Sequence, residues 1–192
     1  MPSKNRIKIY IENGYYHIYN RGVEKRTIFL DAQDYAVFLA YLKEYLLPKD
    51  IPALTQQLAN PKISYKEKDK IAKLLRLNNF AGEITLLAYC LMSNHLHFLV
   101  KQISAGSIDK FINSLGTRYT MYFNRKYKRV GSLYQGVYKA VLVDTDEQLL
   151  HLSRYIHKQA LASQGLALRG WEQPSSYPEY LGLRQTKWIK PE

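Results

Sequence analysis

The spacing of apolar positions divides the chain into strand-like and helix-like stretches. Tyr15-Tyr16-His17-Ile18-Tyr19-Asn20 is rich in β-formers and predicts a first strand, which Asn20-Arg21-Gly22 ends with turn chemistry. Tyr35, Phe38, Leu39, Leu42 and Leu46 then recur at helical spacing behind Asp31, a plausible N-cap. Pro48 breaks that helix. From there to Asn79 the chain reads as an insertion, punctuated by Pro52 and Pro61. Within it Ser64-Tyr65-Lys66-Glu67 is a capping box that opens a short basic helix to about Leu77, with Ile71, Leu74 and Leu75 on its apolar side.

Residues Glu83 to Met92 predict a buried strand, Ser93-Asn94 a turn, and His95-Leu96-His97-Phe98-Leu99-Val100 a second strand, so this part reads as a central β-hairpin. A helix follows from Ser107, with Ile108, Phe111, Ile112, Leu115, Tyr119, Tyr122 and Phe123 on its buried face. Gly131 to Val143 reads as a loop entering a strand, with Gly131 and Gly136 placed to let backbone approach a ligand. Thr145-Asp146-Glu147-Gln148 is a second capping box. It opens a helix whose stripe is Leu149, Leu152, Ile156 and Ala160 and which Gly165 stops. The expected organisation is one domain over residues 1–192, with a helical insertion at 48–79 and a C-terminal tail at 166–192. In that tail Trp171 to Tyr180 packs as irregular structure. No repeat and no Gly-rich nucleotide loop occurs.

Charge narrows the function. The chain carries 28 Lys and Arg against 16 Asp and Glu, a net +12. Between Lys101 and Lys139 the basic residues Lys101, Lys110, Arg118, Arg125, Lys126, Lys128, Arg129 and Lys139 face a single acid, Asp109. Such a local field attracts a polyanion, and the 17 tyrosines interleaved along the chain supply rings that stack on unpaired bases. Arg21, at a strand end, is a further candidate for a phosphate contact. No apolar run is long enough for a transmembrane helix and no signal-peptide core follows the basic N-terminus. Cys90 is the one cysteine, so no internal disulfide forms, and a reducing, cytoplasmic setting is expected.

The chemistry centres on the histidine strand. In a strand, residues i and i+2 share a face, so His95 and His97 present two imidazoles side by side, suited to one metal ion. Two histidines on a half-covered sheet are the plainer reading of that spacing alone. Gln159 can lend an amide oxygen, and Tyr155, one helical turn earlier, lies on the same face. Metal coordination of a phosphate oxygen polarises phosphorus toward attack, and a phenolate beside it is a nucleophile. Attack on a phosphodiester would join the 5′ side of the DNA to Tyr155 and free a 3′-hydroxyl. One phosphodiester replaces another, so the reaction needs no ATP and runs backwards to rejoin strands. Tyr119, Tyr122, Tyr134 and Tyr138 are rival nucleophiles in the basic region. None has an amide or acid one turn later on a face shared with a metal ligand. His151 and His157 read as structural or solvent-exposed, with His157 alternatively touching DNA.

These blocks resemble the single-tyrosine His-hydrophobic-His transposases, most closely the REP-associated tyrosine transposases of bacteria. The resemblance rests on Tyr19-Asn20-Arg21-Gly22, on Met92-Ser93-Asn94-His95-Leu96-His97, and on Tyr122-Phe123-Asn124 leading into Gly131-Ser132-Leu133-Tyr134-Gln135-Gly136 and Tyr138-Lys139. It continues through Tyr155-Ile156-His157 and Trp171 to Tyr180, and so spans roughly residues 15 to 182 apart from the insertion. It implies an α+β, ferredoxin-like sandwich whose antiparallel sheet carries the histidines. It implies magnesium or manganese on His95, His97 and Gln159, with Tyr155 as nucleophile. The implied substrate is single-stranded or hairpin DNA, including REP-type repeats, gripped by Asn20, Arg21, Arg118, Arg125, Lys126, Lys128, Arg129 and Lys139. The resemblance implies a monomer or a homodimer, with the tyrosine helix acting within its own chain or across a dimer. One departure stands out. Where the REP-associated family usually has Asn-Pro, this chain has Gln159-Ala160, and insertion-sequence relatives use Gln there. The alternatives are a replication initiator or relaxase, a DNA-hairpin-binding protein that has lost catalysis, and a zinc hydrolase. The last is weakened by the lack of a third His, Asp or Glu at a recognisable spacing.

Overall fold

The His-x-His stretch is a strand, and it lies inside a sheet rather than at its edge. A computed structural model describes residues 8–162 and 174–191 of the chain. Its four strands are β1 (Tyr15–Arg21), β2 (Ile84–Met92), β3 (His95–Gln102) and β4 (Lys139–Val143), in the order β2-β3-β1-β4. Every pairing is antiparallel. The principal helices are α1 (Ala32–Leu46) between β1 and β2, α4 (Ser107–Lys126) between β3 and β4, and α5 (Asp146–Ala162) after β4. Apart from the excursion between α1 and β2, the order up to β4 is β-α-β-β-α-β on an antiparallel sheet, the ferredoxin-like α+β arrangement.

The two sheet faces have different covers. Tyr16, Ile18, Leu86, Tyr89, Leu91, Leu96, Phe98 and Val100 point to the face covered by α1 and α4 and form one core with Phe38, Leu42, Phe111, Leu115 and Tyr119. Each fully buried side chain of this size contributes about 1.5–3 kcal/mol. Leu87, Ala88, Cys90 and Leu99 meet Ile156 and Ala160 of α5 in a second, smaller core on the opposite face. A bulge between Leu86 and Ala88 lets Leu87 join that second core. The helical stripe of α5 therefore lies over the histidine face, and this places its next residues, Tyr155 above all, beside the imidazoles.

The 48–79 segment holds two helices, where the sequence predicts one. Besides α3 (Tyr65–Arg76), opened by the reciprocal Ser64–Glu67 capping box, it forms α2 (Ile51–Ala59). Pro52 starts α2 rather than breaking it, because a helix's first turn has no N–H bond for proline to lose, and Asp50 caps Ala53 N at 2.9 Å. Neither helix contributes a buried residue. At the start of α5, Gln148 N–H donates to Thr145 Oγ1 (3.2 Å), but Gln148 Oε1 accepts from Asp144 N–H (3.0 Å), one residue earlier than a capping box requires. Gly131 and Gly136 adopt φ of +86° and +75° with open space around the α-carbon, so they serve the left-handed backbone of the loop.

Where the tail is described, it follows the outer edge of β2. Leu91 N donates to Pro174 O, Ser176 N to Tyr89 O and Lys190 N to Leu86 O, and the short helix α6 (Tyr177–Tyr180) lies between these contacts. This strap satisfies edge groups that would otherwise face solvent. The expected helix stop at Gly165 and the aromatic Trp171 fall outside the described residues.

Candidate active site

Antiparallel register builds the site. Tyr19 pairs with His97 and Arg21 with His95 across β1 and β3, while Tyr19 pairs with Lys139 across β1 and β4. Directly paired residues point to the same side of a sheet. One face therefore presents Arg21, His95, His97, Tyr19 and Lys139 together, with His17 one step further along β1. Tyr155 of α5 closes the group from above. Its ring lies 5.6 Å from that of His97 at 90° and 6.1 Å from that of His17 at 77°. Tyr155 is 46% exposed, so solvent reaches it.

The imidazoles are positioned through their Nδ1 atoms. His95 Nδ1 lies 2.6 Å from Asn94 Oδ1, and Asn94 Nδ2 donates to Lys25 O at 3.2 Å, which fixes the amide's orientation. His97 Nδ1 lies 2.9 Å from His17 Nε2, with the two rings stacked at 5.1 Å. The rings of His95 and His97 are 5.0 Å apart and nearly perpendicular, at 84°. Burial pulls His17 down to about 4. Burial and then Arg21 pull His95 down to about 4, and burial with His17, His95 and Arg21 pulls His97 down to about 3. At neutral pH all three are uncharged, the form in which imidazole binds a metal. The donor set thus fits a divalent ion at the Nε2 atoms of His95 and His97. Among the described residues no group of three or more His, Cys, Asp and Glu is arranged to hold one. Gln159, the expected amide ligand, is half-buried on α5 one turn beyond Tyr155.

Three sequence blocks meet at the His95 end of this face. Gly22 N donates to Asn94 O, Val23 N to Leu133 O and Gln135 N to Arg21 O. Asn20 Nδ2 contacts Gly136 O at 3.5 Å. The Asn-Arg-Gly turn, the Ser-Asn turn and the Gly131–Gly136 loop thereby form one rim. The loop continues from the C-terminus of α4, where Arg125 and Lys128 are exposed.

Three of the expected DNA contacts are engaged elsewhere. Arg118 pairs with Glu44 at 2.6 Å and lies over the Tyr41 ring, fastening α4 to α1. Lys126 bonds Asp31 at 2.6 Å and the fully buried Asp34 at 2.8 Å. Arg129 donates to Asn124 Oδ1 at 3.2 Å. The positive field at the α4 terminus is thus weaker than the residue count suggests. The rival tyrosines are also engaged. Tyr119 donates to Ile28 O, Tyr122 to Asp34, and Tyr138 to Asp109, while the Tyr134 hydroxyl is buried. Burial raises the pKa of all four phenols. His157 is buried against Ser176 Oγ at 2.9 Å and is structural, and His151 is exposed. His17 and Tyr19 join the site although neither is among the expected site residues. Tyr19 lies in the Tyr19-Asn20-Arg21-Gly22 block, and the signal for both is the alternation of β1, which puts residues 17, 19 and 21 on one face.

Comparison with known proteins bears on this geometry. The family model described as "Transposase IS200 like" matches residues 60–159. Among solved structures, a REP-associated tyrosine transposase bound to a REP hairpin is similar over 99% of both chains, at 10% identity and a TM-score of 0.56. A protein assigned as a transposase from Deinococcus radiodurans R1 is similar over 81% of this chain and 97% of its own, at 12% identity and a TM-score of 0.42. No curated protein matches the chain.

Proposed function

This chain belongs to the IS200-like transposase family, and from that membership we propose that it cleaves and rejoins single-stranded or hairpin DNA through a covalent 5′-phosphotyrosine at Tyr155. The observation that carries the reading is the Tyr155 ring standing against His97 on the one sheet face that also presents His95, Arg21 and Lys139. The solved REP-associated transposase, similar in fold, holds a hairpin of REP DNA. The same class of ligand suits a rim of Asn20, Arg21 and Lys139 with Arg125 and Lys128 beyond it.

In this reading His95 Nε2, His97 Nε2 and the Gln159 amide oxygen would hold magnesium or manganese, which when bound would supply positive charge at the phosphate. Arg21 and Lys139 add charge from the same face and orient the phosphate. The Tyr155 hydroxyl oxygen attacks phosphorus and gives its proton to the solvent that reaches it. The bond to the 3′-oxygen breaks, and that oxygen takes up a proton to become a free 3′-hydroxyl. The 5′-phosphate stays on Tyr155. Attack on this link by a 3′-hydroxyl restores a DNA phosphodiester and the phenol, so joining is cleavage in reverse.

The test is incubation of the full chain with labelled single-stranded DNA carrying a hairpin, with Mg²⁺ or Mn²⁺ and separately with EDTA. Denaturing gels should show a protein–DNA adduct with metal, none with EDTA, and none for Tyr155→Phe, while hairpin binding persists in all three. An adduct of undiminished yield in Tyr155→Phe refutes the assignment of the nucleophile. Tight hairpin binding with no cleavage under any metal identifies a binding protein that no longer cuts.

A further inference from the structure

We propose that His17 is a positioning residue that fixes the proton of His97 on Nδ1 and so turns a lone pair on His97 Nε2 toward the metal position. The inference rests on the metal reading above and assigns a role to a residue outside the His-x-His motif. His17 Nε2 and His97 Nδ1 are 2.9 Å apart, a hydrogen bond that holds one proton between two nitrogens. Two arrangements satisfy it. If His17 donates, His97 carries its own proton on Nε2 and has no lone pair for a metal. If His97 donates, Nε2 is an acceptor and His17 is the Nδ1–H tautomer. Only the second arrangement makes His97 a ligand.

His95 shows the same plan with no ambiguity. Its Nδ1 faces Asn94 Oδ1 at 2.6 Å, and that oxygen can only accept, because Asn94 Nδ2 is turned to Lys25 O. His95 therefore carries its proton on Nδ1 and leaves Nε2 as the acceptor. The two histidines of the motif thus each have an outer partner on Nδ1, an amide oxygen for one and an imidazole for the other. Stacking of His17 on His97 at 18° between planes, and of His97 on Tyr19 at 30°, also holds the ring in its plane. His97 is only 6% exposed, so its Nδ1 relies on the partner that His17 provides. Partners of this kind set the tautomer and the basicity of a ligand, and their loss costs about 10–100-fold in metal affinity.

Two substitutions separate the hydrogen bond from the packing. His17→Phe keeps a flat ring without an acceptor. His17→Gln keeps an acceptor oxygen near the Nε2 position. The first measurement needs no metal: long-range ¹H–¹⁵N spectra of the imidazoles in the metal-free protein. The expected result is His97 as the Nδ1–H tautomer in wild type and in His17→Gln, and a shift to Nε2–H in His17→Phe. The second is Mn²⁺ binding by titration calorimetry. We expect affinity to fall about 10–100-fold in His17→Phe and to recover at least in part in His17→Gln, with thermal melting and metal-free hairpin binding unchanged. His97 found as Nε2–H in wild type overturns the proposal. So does Mn²⁺ affinity equal to wild type in His17→Phe, or an equal loss in both variants, which would make His17 a packing residue. Should wild type bind no Mn²⁺ in a manner sensitive to His95→Ala, the metal reading fails. The tautomer spectra then decide the role of His17 by themselves.

Discussion

The ring of Tyr19 stacks on that of His97 at 5.9 Å, so the sheet itself brings a second tyrosine into the group that Tyr155 closes from above. The two phenols are not equivalent. Burial, and then the proximity of Tyr155, push the Tyr19 hydroxyl up, which disfavours its phenolate. Tyr155 is the more exposed and sits on a helix, whereas Tyr19 is held in the sheet between β3 and β4.

A nucleophile and a wall of the pocket respond differently to loss of one oxygen. Tyr19→Phe is expected to keep adduct formation within about tenfold of wild type, since it retains the stacked ring, whereas loss of a nucleophile costs several orders of magnitude. Single-turnover adduct formation on a labelled hairpin measures it. Loss of the adduct in Tyr19→Phe with retention in Tyr155→Phe would reverse the two roles.

The basic residues divide by their partners. Arg125 and Lys128 are exposed, while Arg118 is paired with Glu44 between α1 and α4. Arg125→Ala and Lys128→Ala should each weaken hairpin binding and lower the slope of log affinity against log salt by about one. Arg118→Ala should leave that slope unchanged and lower the melting temperature, through lost packing on Tyr41 and an unpaired Glu44. Fluorescence anisotropy across a salt series distinguishes the two behaviours.

How much of this was legible in the chain follows from the range of each interaction. His95 and His97 share a face because a strand has period two, and Tyr155 and Gln159 because a helix has period 3.6. Both are local facts. His17 became a partner of His97 only through the pairing of β1 with β3, which no local pattern encodes. The same holds for Arg118 and Lys126, whose acids, Glu44, Asp31 and Asp34, lie on or at the start of α1 and cannot be seen from α4 alone. Pro52 was ambiguous for a different reason. A proline marks a break in the middle of a helix and a beginning in its first turn, and here it is the second.

Asp34 is the most heavily used of these hidden partners. It is fully buried and accepts from Leu30 N (2.8 Å), Tyr122 Oη (3.0 Å), Tyr127 Oη (2.8 Å) and Lys126 Nζ (2.8 Å). Asp34→Ala leaves the Tyr122 hydroxyl and the Leu30 N–H without their acceptor, and reduces Tyr127 and Lys126 to their contacts with Asp31. The expected loss is about 3–5 kcal/mol of unfolding free energy. Asp34→Asn retains an acceptor and should lose less. Urea denaturation of both variants checks the order, and a loss below about 1 kcal/mol in Asp34→Ala would show that the network contributes little.

His157 links the tyrosine helix to the C-terminal strap, and its burial gives that link a pH dependence. Its Nε2 lies 2.9 Å from Ser176 Oγ, which also accepts from Tyr89 N at 2.9 Å on the edge strand. Burial pulls His157 from 6.5 down to about 4, with Glu179 opposing the shift. Above pH 6.5 the histidine is neutral whether folded or unfolded, and its contribution to stability is complete. Between pH 6.5 and about 4 the unfolded chain binds a proton that the folded protein does not, so stability falls with acidification. The slope is about 1.4 kcal/mol per pH unit for one such group. His17, His95 and His97 add to the slope in the same direction, so the contribution of His157 is read as a difference. His157→Gln can still meet Ser176 but does not titrate. Its unfolding free energy should therefore decline less steeply than wild type between pH 6.5 and about 4, by about one proton's slope. Chemical denaturation at half-unit pH intervals tests this, and parallel curves for the two proteins would mean that His157 takes up its proton in the folded state as readily as in the unfolded chain.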